Sequence, residues 1–515
     1  MIRVVSAQGA QAVDHDAIKV RGISGISLMH KAGKAVADAA FDLCKTRKID
    51  HVQIFCGKGN NGGDGYVAAI ELKDMGLKHI DVFCFADEND IGGDAGHFYT
   101  EMRSSGIDAI FVYNHEDLND LVKSDSCWID AIFGTGLNRP VEGYLKDVLG
   151  ALIDLHDGQP VIAVDIPSGI SGSSGRLLGP ALKADITLSM GFYKSGNFLQ
   201  DAKSYSGKVQ LVELDYPEES YAKAEPVMFL CDHDFVKHHL LPVSLTGHKY
   251  TAGQVLCVGG SAAMPGAVTL ASLAVLRSGA GMLRALIPGK IKDLFLQKLI
   301  EGIVTVSAHP DYLTIDDLPA ILQLTEKSKA MVIGPGLGRD AATGKLVHAV
   351  IEKCMLPMVL DADALYFLES ESLKSHQAEL IITPHLGEFS RLTGLDTDEI
   401  KNDPVRHALS LATKTDTIVH LKGSTSLTAL PSGRVFLHAT GAPGMATAGS
   451  GDLLAGLIAS FIAQGHTPEN AILIAAYYHG MAGQAAAEQL GNRSMIASDI
   501  LENIPKVLKL DEVLV

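Results

Sequence analysis

Short apolar runs alternate along the chain with longer segments whose hydrophobic positions recur at helical spacing, and most runs end in glycine or small polar residues. Val52-Gln-Ile-Phe-Cys56 reads as a strand, Gly57-Lys-Gly-Asn-Asn-Gly-Gly-Asp-Gly65 as the loop after it, and a helix is expected from about Tyr66 to Met75. Ile80–Phe85, Cys127–Phe133 and Val161–Asp165 are further strands; Gly134-Thr-Gly136 follows the second of these and Ile166-Pro-Ser-Gly169 the third. Strands alternating with helices predict a mostly parallel sheet covered on both faces. Ligands of such sheets bind at the carboxyl ends of the strands. All three loops follow strands directly, so they are expected on one rim.

Asp215 to Pro226 is polar, charged and bounded by prolines, which marks it as the linker. The alternation then resumes. Gln254–Val258 leads into Gly259-Gly-Ser-Ala-Ala-Met-Pro-Gly and a helix ending near Ser278, and Ala330–Ile333 leads into Gly334-Pro-Gly-Leu-Gly338. Pro357–Leu360 precedes Asp361-Ala-Asp363, Leu380–Ile382 precedes Thr383-Pro-His-Leu-Gly-Glu388, and Thr417–Leu421 precedes Lys422-Gly-Ser-Thr-Ser426. The pattern therefore predicts an α/β chain of two tandem domains, residues 1–220 and 228–515.

The stretch richest in chemistry is Thr447-Ala-Gly-Ser-Gly-Asp452, followed at once by an apolar segment at helical spacing that runs to about Gln464. A glycine turn opening a helix presents unpaired N–H groups and partial positive charge, a place to hold a phosphate. A carboxylate beside it can take a proton from a hydroxyl while a phosphoryl group is held for attack. The same residues also suit a plain helix cap. His385 likewise reads either as a substrate contact or as a histidine satisfied at a helix start. Lys422–Ser426 can cradle phosphates or form an ordinary turn, and no G-x-x-x-x-G-K-[ST] loop is present at a strand–helix junction.

Composition narrows the classes. With 47% hydrophobic and 20% charged residues, the 515-residue chain is globular and long enough for more than one core. A net charge of −17 argues against general binding to nucleic acid or acidic membranes. The seven cysteines are scattered without a C-x-x-C pair, which points to buried thiols in a reducing compartment. No basic-then-apolar leader opens the sequence, and Leu453–Ala463 is too short an apolar run for a bilayer, so a cytoplasmic protein is expected.

The motifs of the second half, Gly334-Pro-Gly-Leu-Gly, Asp361-Ala-Asp-Ala-Leu, Thr383-Pro-His-Leu-Gly-Glu, Lys422-Gly-Ser-Thr and Thr447-Ala-Gly-Ser-Gly-Asp, resemble in order and spacing those of the NAD(P)HX dehydratases, members of the ribokinase-like superfamily. The resemblance implies a ribokinase-like α/β domain that restores NADH or NADPH from the hydrated nucleotide at the expense of ADP, as in bacterial members, or ATP, as in eukaryotic ones, with magnesium on the phosphates and the analogy leaning to ADP. It implies Ala267, Gly336, His385 and Asp452 as contacts to the hydrate, with Asp452 as catalytic base. Lys422, Gly423, Ser424, Thr425, Ser426 and Gly451 would hold the adenine nucleotide. Tyr366 stands where asparagine is common in that family.

The first half resembles the NAD(P)HX epimerase domain through Gly57-Lys-Gly-Asn-Asn-Gly-Gly-Asp-Gly, with Lys58 in place of the usual proline, Asp130 with Gly134-Thr-Gly-Leu-Asn-Arg-Pro140, and Asp165-Ile-Pro-Ser-Gly. That implies a Rossmann-like three-layer sandwich. Asn61, Asp130 and Ser168 would bind a potassium ion, an oxygen set that suits a hard cation. Asn60, Asn61, Gly62, Gly63, Asp64, Gly134, Thr135, Gly136, Leu137, Asn138, Arg139, Pro140 and Asp165 would hold the hydrate, Asp165 moving the proton. The partners implied are NADHX or NADPHX and ADP, with self-assembly into a homo-oligomer. Two rival readings are a ribokinase-type small-molecule kinase with a regulatory first half, and a first half that is only a binding module.

Overall fold

Nine strands run through the first half in the order β1 (Ile2–Val5), β2 (His51–Cys56), β3 (His79–Cys84), β4 (Ala109–Phe111), β5 (Cys127–Ala131), β6 (Val161–Val164), β7 (Ile186–Met190), β8 (Tyr193–Lys194) and β9 (Lys208–Val212). The computed structural model describes residues 1–515, which divide into two units, Arg3–Met228 and Phe229–Val515, with Met1 and Ile2 grouped with the second. In the first unit the sheet order is β4-β3-β2-β5-β6-β7-β9, every pair parallel. The strand order reverses between β2 and β5, the switch point where a crevice opens in sheets of this kind.

Alternation along the strands builds the two cores. Val52, Ile54 and Cys56 of β2 pack on one face with helices Gly25–Arg47 and Asn60–Asp74. Phe55, Phe83 and Trp128 pack on the other face with helix Tyr144–Leu155. Trp128 meets Phe55 edge-on at 5.2 Å between centroids. Each such side chain withdrawn from water is worth about 1.5–3 kcal/mol. The result is a three-layer sandwich.

Two expectations need correction here. The helix after β2 begins at Asn60, not near Tyr66, so most of the glycine-rich loop is its first turns. The glycines serve packing: a Cβ on Gly62 would overlap the Gly57 carbonyl, and one on Gly63 would come within 2.5 Å of Met29 Sδ. Nor is Asp215–Pro226 a bare linker. It contains a short helix, Glu218–Tyr221, and Ser220 Oγ donates to Asp16 Oδ2 at 2.8 Å.

The second half adds β10 (Val227–Leu230), β11 (Gln254–Val258), β12 (Met282–Ile287), β13 (Ile303–Val306), β14 (Ala330–Ile333), β15 (Met358–Leu360), β16 (Leu380–Ile382), β17 (Ile418–Leu421), β18 (Ser426–Ala429) and β19 (Arg434–His438). Its order is β13-β12-β11-β14-β15-β16-β17-β18-β19, with β10 beside β19. Pairing is parallel from β13 to β17, and antiparallel from β17 to β19. Helix Ser450–Ala463 is buried from Leu453 onward, packed between helices Pro265–Arg277 and Pro468–Leu490. Full burial explains an apolar sequence without a polar face. No helix is long and apolar enough to cross a membrane.

Candidate functional site

Each unit gathers polar side chains at the carboxyl ends of its parallel strands. In the first, a cavity of about 1020 Å³ is lined by Asn60, Asn61 and Asp64, by Gly134–Leu137 and Arg139 after β5, and by Asp165 after β6. Gly62 and Gly63, in the first turn of helix Asn60–Asp74, lie off its lining, as do the exposed Asn138 and Pro140. Asp165 has a left-handed backbone (φ 69°) although it is not glycine. Its Oδ1 accepts from Met190 N at 3.2 Å and from the Lys194 ammonium, and its Oδ2 accepts from Thr135 N at 3.3 Å.

Of the three residues expected around potassium, Asn61 and Ser168 meet at Phe133, and Asp130 joins them through Ser168. Asn61 Nδ2 donates to the Phe133 carbonyl at 3.0 Å, and Ser168 Oγ accepts from Phe133 N at 2.8 Å. Asp130 is fully buried, with Oδ1 2.5 Å from Ser168 Oγ and Oδ2 accepting from Ser168 N at 2.8 Å. Burial pushes the Asp130 carboxyl up, partly offset by those Ser168 hydrogen bonds. The amide, carboxylate and hydroxyl of these residues and the Phe133 carbonyl are hard oxygen donors, and the buried Asp130 has no cationic partner, a set that suits a hard cation.

Three cavity residues were not legible as candidates: Asp14, Lys194 and Tyr216. Tyr216 donates to Asp14, and Lys194 is only 2% exposed. Burial, then the negative charge of Asp165, holds Asp64 well above the usual carboxylate range, and burial raises Asp14 as well.

In the second unit the expected turn holds. Gly449 is left-handed (φ 91°) and caps helix Ser450–Ala463, with Asp452 in its first turn. Lys422, at the end of β17, places its ammonium 2.8 Å from Asp361 Oδ1 and 4.0 Å from Glu388 Oε2. Thr383 Oγ1 donates to the same Asp361 oxygen at 2.7 Å. A Cβ on Gly451 would stand 3.1 Å from Lys422 Nζ, so glycine lets the helix start approach the ammonium. Burial, then the charge of Asp361, raises Asp452 to about 7, with Lys422 opposing. Burial disfavours the Lys422 ammonium, but Asp361 and then Glu388 outweigh it, leaving the lysine above its ordinary value.

His385 caps helix Leu386–Thr393: Nδ1 accepts from Gly387 N at 3.0 Å and Glu388 N at 3.2 Å. Its Nε2 is 3.4 Å from Glu388 Oε1, and its backbone is bridged to Lys422. His385 is thus a helix cap, and the cap stands beside the Lys422–Glu388 pair. Gly336 (φ 66°) lies against Ala267, since an added Cβ would be 3.1 Å from the Ala267 Cβ. Gly423 N donates to Ser426 Oγ at 3.4 Å, closing the turn from Lys422 to β18 around Ser424 and Thr425. Tyr366 lies between the guanidinium groups of Arg339 and Arg391, 4.5 and 4.9 Å from its ring centre.

Buried imidazoles surround this end of the sheet. Thr428 Oγ1 is 2.9 Å from both His420 Nδ1 and His438 Nε2, and Ser450 Oγ is 3.3 Å from His479 Nε2. Burial drives His479 down to about 4 and His438 to about 3, and burial followed by His438 drives His420 well below the ordinary histidine value.

Known proteins match both halves. Residues 255–506 fit the family described as NAD(P)H-hydrate dehydratase, and residues 25–196 the family described as YjeF-related protein N-terminus. The bifunctional NAD(P)H-hydrate repair enzyme Nnr of Moorella thermoacetica is 35% identical over 497 residues, 95% of this chain and 93% of that one. The enzyme of the same name from Thermofilum pendens is 34% identical over 525 residues, 99% of this chain and 96% of that one. The ADP/ATP-dependent NAD(P)H-hydrate dehydratase of Bacillus subtilis, co-crystallised with ATP/Mg2+, aligns with a TM-score of 0.51 and 30% identity, covering 55% of this chain and 99% of its own. Matched in both halves and aligned with relatives over nearly their whole length, the chain belongs to the bifunctional NAD(P)H-hydrate repair enzymes.

Proposed function

We propose that the first half interconverts the R and S hydrates of NADH and NADPH, and that the second dehydrates the S form at the expense of ADP, releasing AMP and phosphate. The observation that carries the second assignment is Asp452, raised to about 7 at the start of a buried helix and beside the Lys422–Asp361 pair. A carboxylate poised near neutrality suits proton abstraction. Asp452 takes the proton of the ring hydroxyl, whose oxygen attacks the terminal phosphoryl group of ADP as AMP leaves. Phosphate then departs far more readily than hydroxide would, and loss of a ring proton restores the dihydronicotinamide.

Lys422–Ser426 and Gly451 hold the adenine nucleotide, and the unpaired N–H groups at the helix start receive phosphate oxygens. Ala267, Gly336 and His385 face the hydrate. Magnesium, arriving with the nucleotide, supplies charge neutralisation of its phosphates. The Bacillus subtilis relative co-crystallised with ATP/Mg2+ supports a magnesium nucleotide, and ADP is the donor we assign. In the first half Asn61, Asp130 and Ser168 would hold potassium, which supplies a positive charge beside the hydrate. There Asn60–Asp64, the Gly134–Pro140 loop and Asp165 bind the substrate, and Asp165 moves the proton as the C–O bond opens and re-forms on the other face of the ring. The protein acts on small molecules in the cytoplasm as a homo-oligomer.

The test is recovery of reduced-nicotinamide absorbance from a mixed R and S hydrate with ADP or ATP, for the parent and Asp452→Asn. The parent is expected to consume both epimers, releasing phosphate. Asp452→Asn is expected to lose recovery while still exchanging epimers. A stable phosphoester accumulating in place of NADPH would instead support the kinase reading, which the names of the relatives do not favour.

A further inference from the structure

Lys194 is a buried cation with no place in the roles assigned so far. It ends β8, 2% exposed, and its ammonium touches Asp165 Oδ1 and donates to the Met190 carbonyl at 2.6 Å. The Phe192 ring lies beneath it, 4.9 Å to the centroid. Asn197 ties the pair together: Nδ2 donates to the Asp165 carbonyl at 3.2 Å, and Oδ1 accepts from Lys194 N at 2.9 Å and from Ser189 Oγ at 3.0 Å. Asp165 Oδ1 is thus held by two donors, Lys194 and Met190 N, while Oδ2 is directed at Thr135 and the loop lining the cavity.

The charges facing the pair come from three further elements. Asp64 belongs to helix Asn60–Asp74, Asp14 to helix Ala7–His15, and Tyr216 follows β9 and donates to Asp14. Arg139 and the exposed Lys58–Asp90 pair, 3.2 Å apart, also line the cavity. Asp14, Asp64 and Asp165 therefore share one fully buried ammonium.

We propose that Lys194 is a positioning residue of the epimerase reaction, acting through Asp165: it anchors Oδ1 and so aims Oδ2 into the cavity. This rests on the reading of Asp165 as the proton-transfer group. Removing the ammonium leaves Oδ1 with the Met190 amide as its one remaining donor, so the carboxylate is free to turn away from the cavity.

The experiment follows exchange of purified (6R)- and (6S)-NADPHX by chromatography with the full chain and no ADP, for the parent, Asp165→Asn, Lys194→Met and Lys194→Arg. Lys194→Met is expected to lower kcat by about 100-fold or more with KM within about threefold, the scale of a lost proton-transfer group. Lys194→Arg, which returns a cation to Oδ1, is expected to recover about tenfold or more of the loss. Lys194→Met exchanging within about threefold of the parent overturns the proposal. So does a rise in KM shared by both lysine variants with kcat held, the signature of a purely structural lysine. If Lys194→Met does not fold, Lys194→Arg decides: a lowered kcat at unchanged KM with residual exchange supports the proposal, and a rise in KM at unchanged kcat overturns it. Asp165→Asn exchanging like the parent would remove the underlying reading; Asp165→Asn inactive with Lys194→Met normal would remove only the role of Lys194.

Discussion

Asp361→Asn is the substitution that most directly tests the electrostatics of the dehydratase half. Asp452 is a carboxyl whose pKa is raised to about 7, by burial first and then by Asp361. The active anion is gained as pH rises, so about a tenth of the free enzyme is competent at pH 6 and about nine-tenths at pH 8. The parent kcat/KM is therefore expected to fall about tenfold between pH 8 and pH 6. Asparagine at 361 preserves the size of the side chain and an oxygen for the Thr383 hydroxyl, now 2.7 Å from Oδ1. It removes a charge that acts twice, repelling the Asp452 anion and occupying the Lys422 ammonium at 2.8 Å. At an effective dielectric of about 20, a unit charge several ångströms away contributes on the order of 1–2 kcal/mol, or about one pH unit. The acid limb of Asp361→Asn is thus expected about one unit lower than that of the parent. The assay is initial-rate formation of NADPH at limiting (6S)-NADPHX and saturating ADP from pH 5.5 to 8.5. Titration of the nucleotide is common to both proteins and cancels in their ratio. A limb that stays put or moves upward refutes the account of Asp452.

Gly334→Ala meets a left-handed backbone (φ 132°) and a Cβ that would overlap the Asp361 carbonyl. A cost of at least about 1–3 kcal/mol is expected, read as a lower melting transition and weakened dehydration with epimer exchange retained. Ser168→Ala removes the hydroxyl between Asp130 and Phe133 N, at 2.5 and 2.8 Å, and leaves buried groups short of partners. A loss of about 1–3 kcal/mol in stability is expected, with slower epimer exchange. Replacing potassium by tetramethylammonium is expected to slow exchange by the parent but not dehydration; equal exchange rates in the two salts would remove the cation from the first site.

The strand-end loops were legible because the chemistry there needs particular residues in a short run. Lys422 and Asp452 stood in loops that suited either phosphate chemistry or a plain turn and cap, Asp165 entered through the resemblance to the epimerase domain, and the helix after Gly449 starts where a glycine turn followed by an apolar run demands. Three things were hidden for physical reasons. The glycines from Gly62 to Gly65 resemble a loop in composition, yet they are helical and there for close approach to Gly57, Met29 and Cys56. Asp14 lies inside a helix and Lys194 ends a two-residue strand, and both reach the cavity only through tertiary packing. Tyr216 lies inside the polar, proline-bounded stretch that local composition assigns to a linker, although its ring stacks on Phe192 at 5.4 Å. Asp361 was visible within a motif, but its pairing with Lys422 joins residues from β15 and β17, which no local pattern connects.

The histidines behind the second site have a practical consequence. His420, His438 and His479 are packed as though they were apolar residues that happen to hydrogen-bond, and burial keeps each of them uncharged well below neutrality. Moving from pH 6 to pH 8 leaves these three rings unchanged, so incoming phosphates meet the same neutral imidazole backdrop throughout. A search for the acid-sensitive group that starts with the residue type famous for titrating near neutrality would spend its effort on these three rings, whereas the proton carrier we propose is an aspartate.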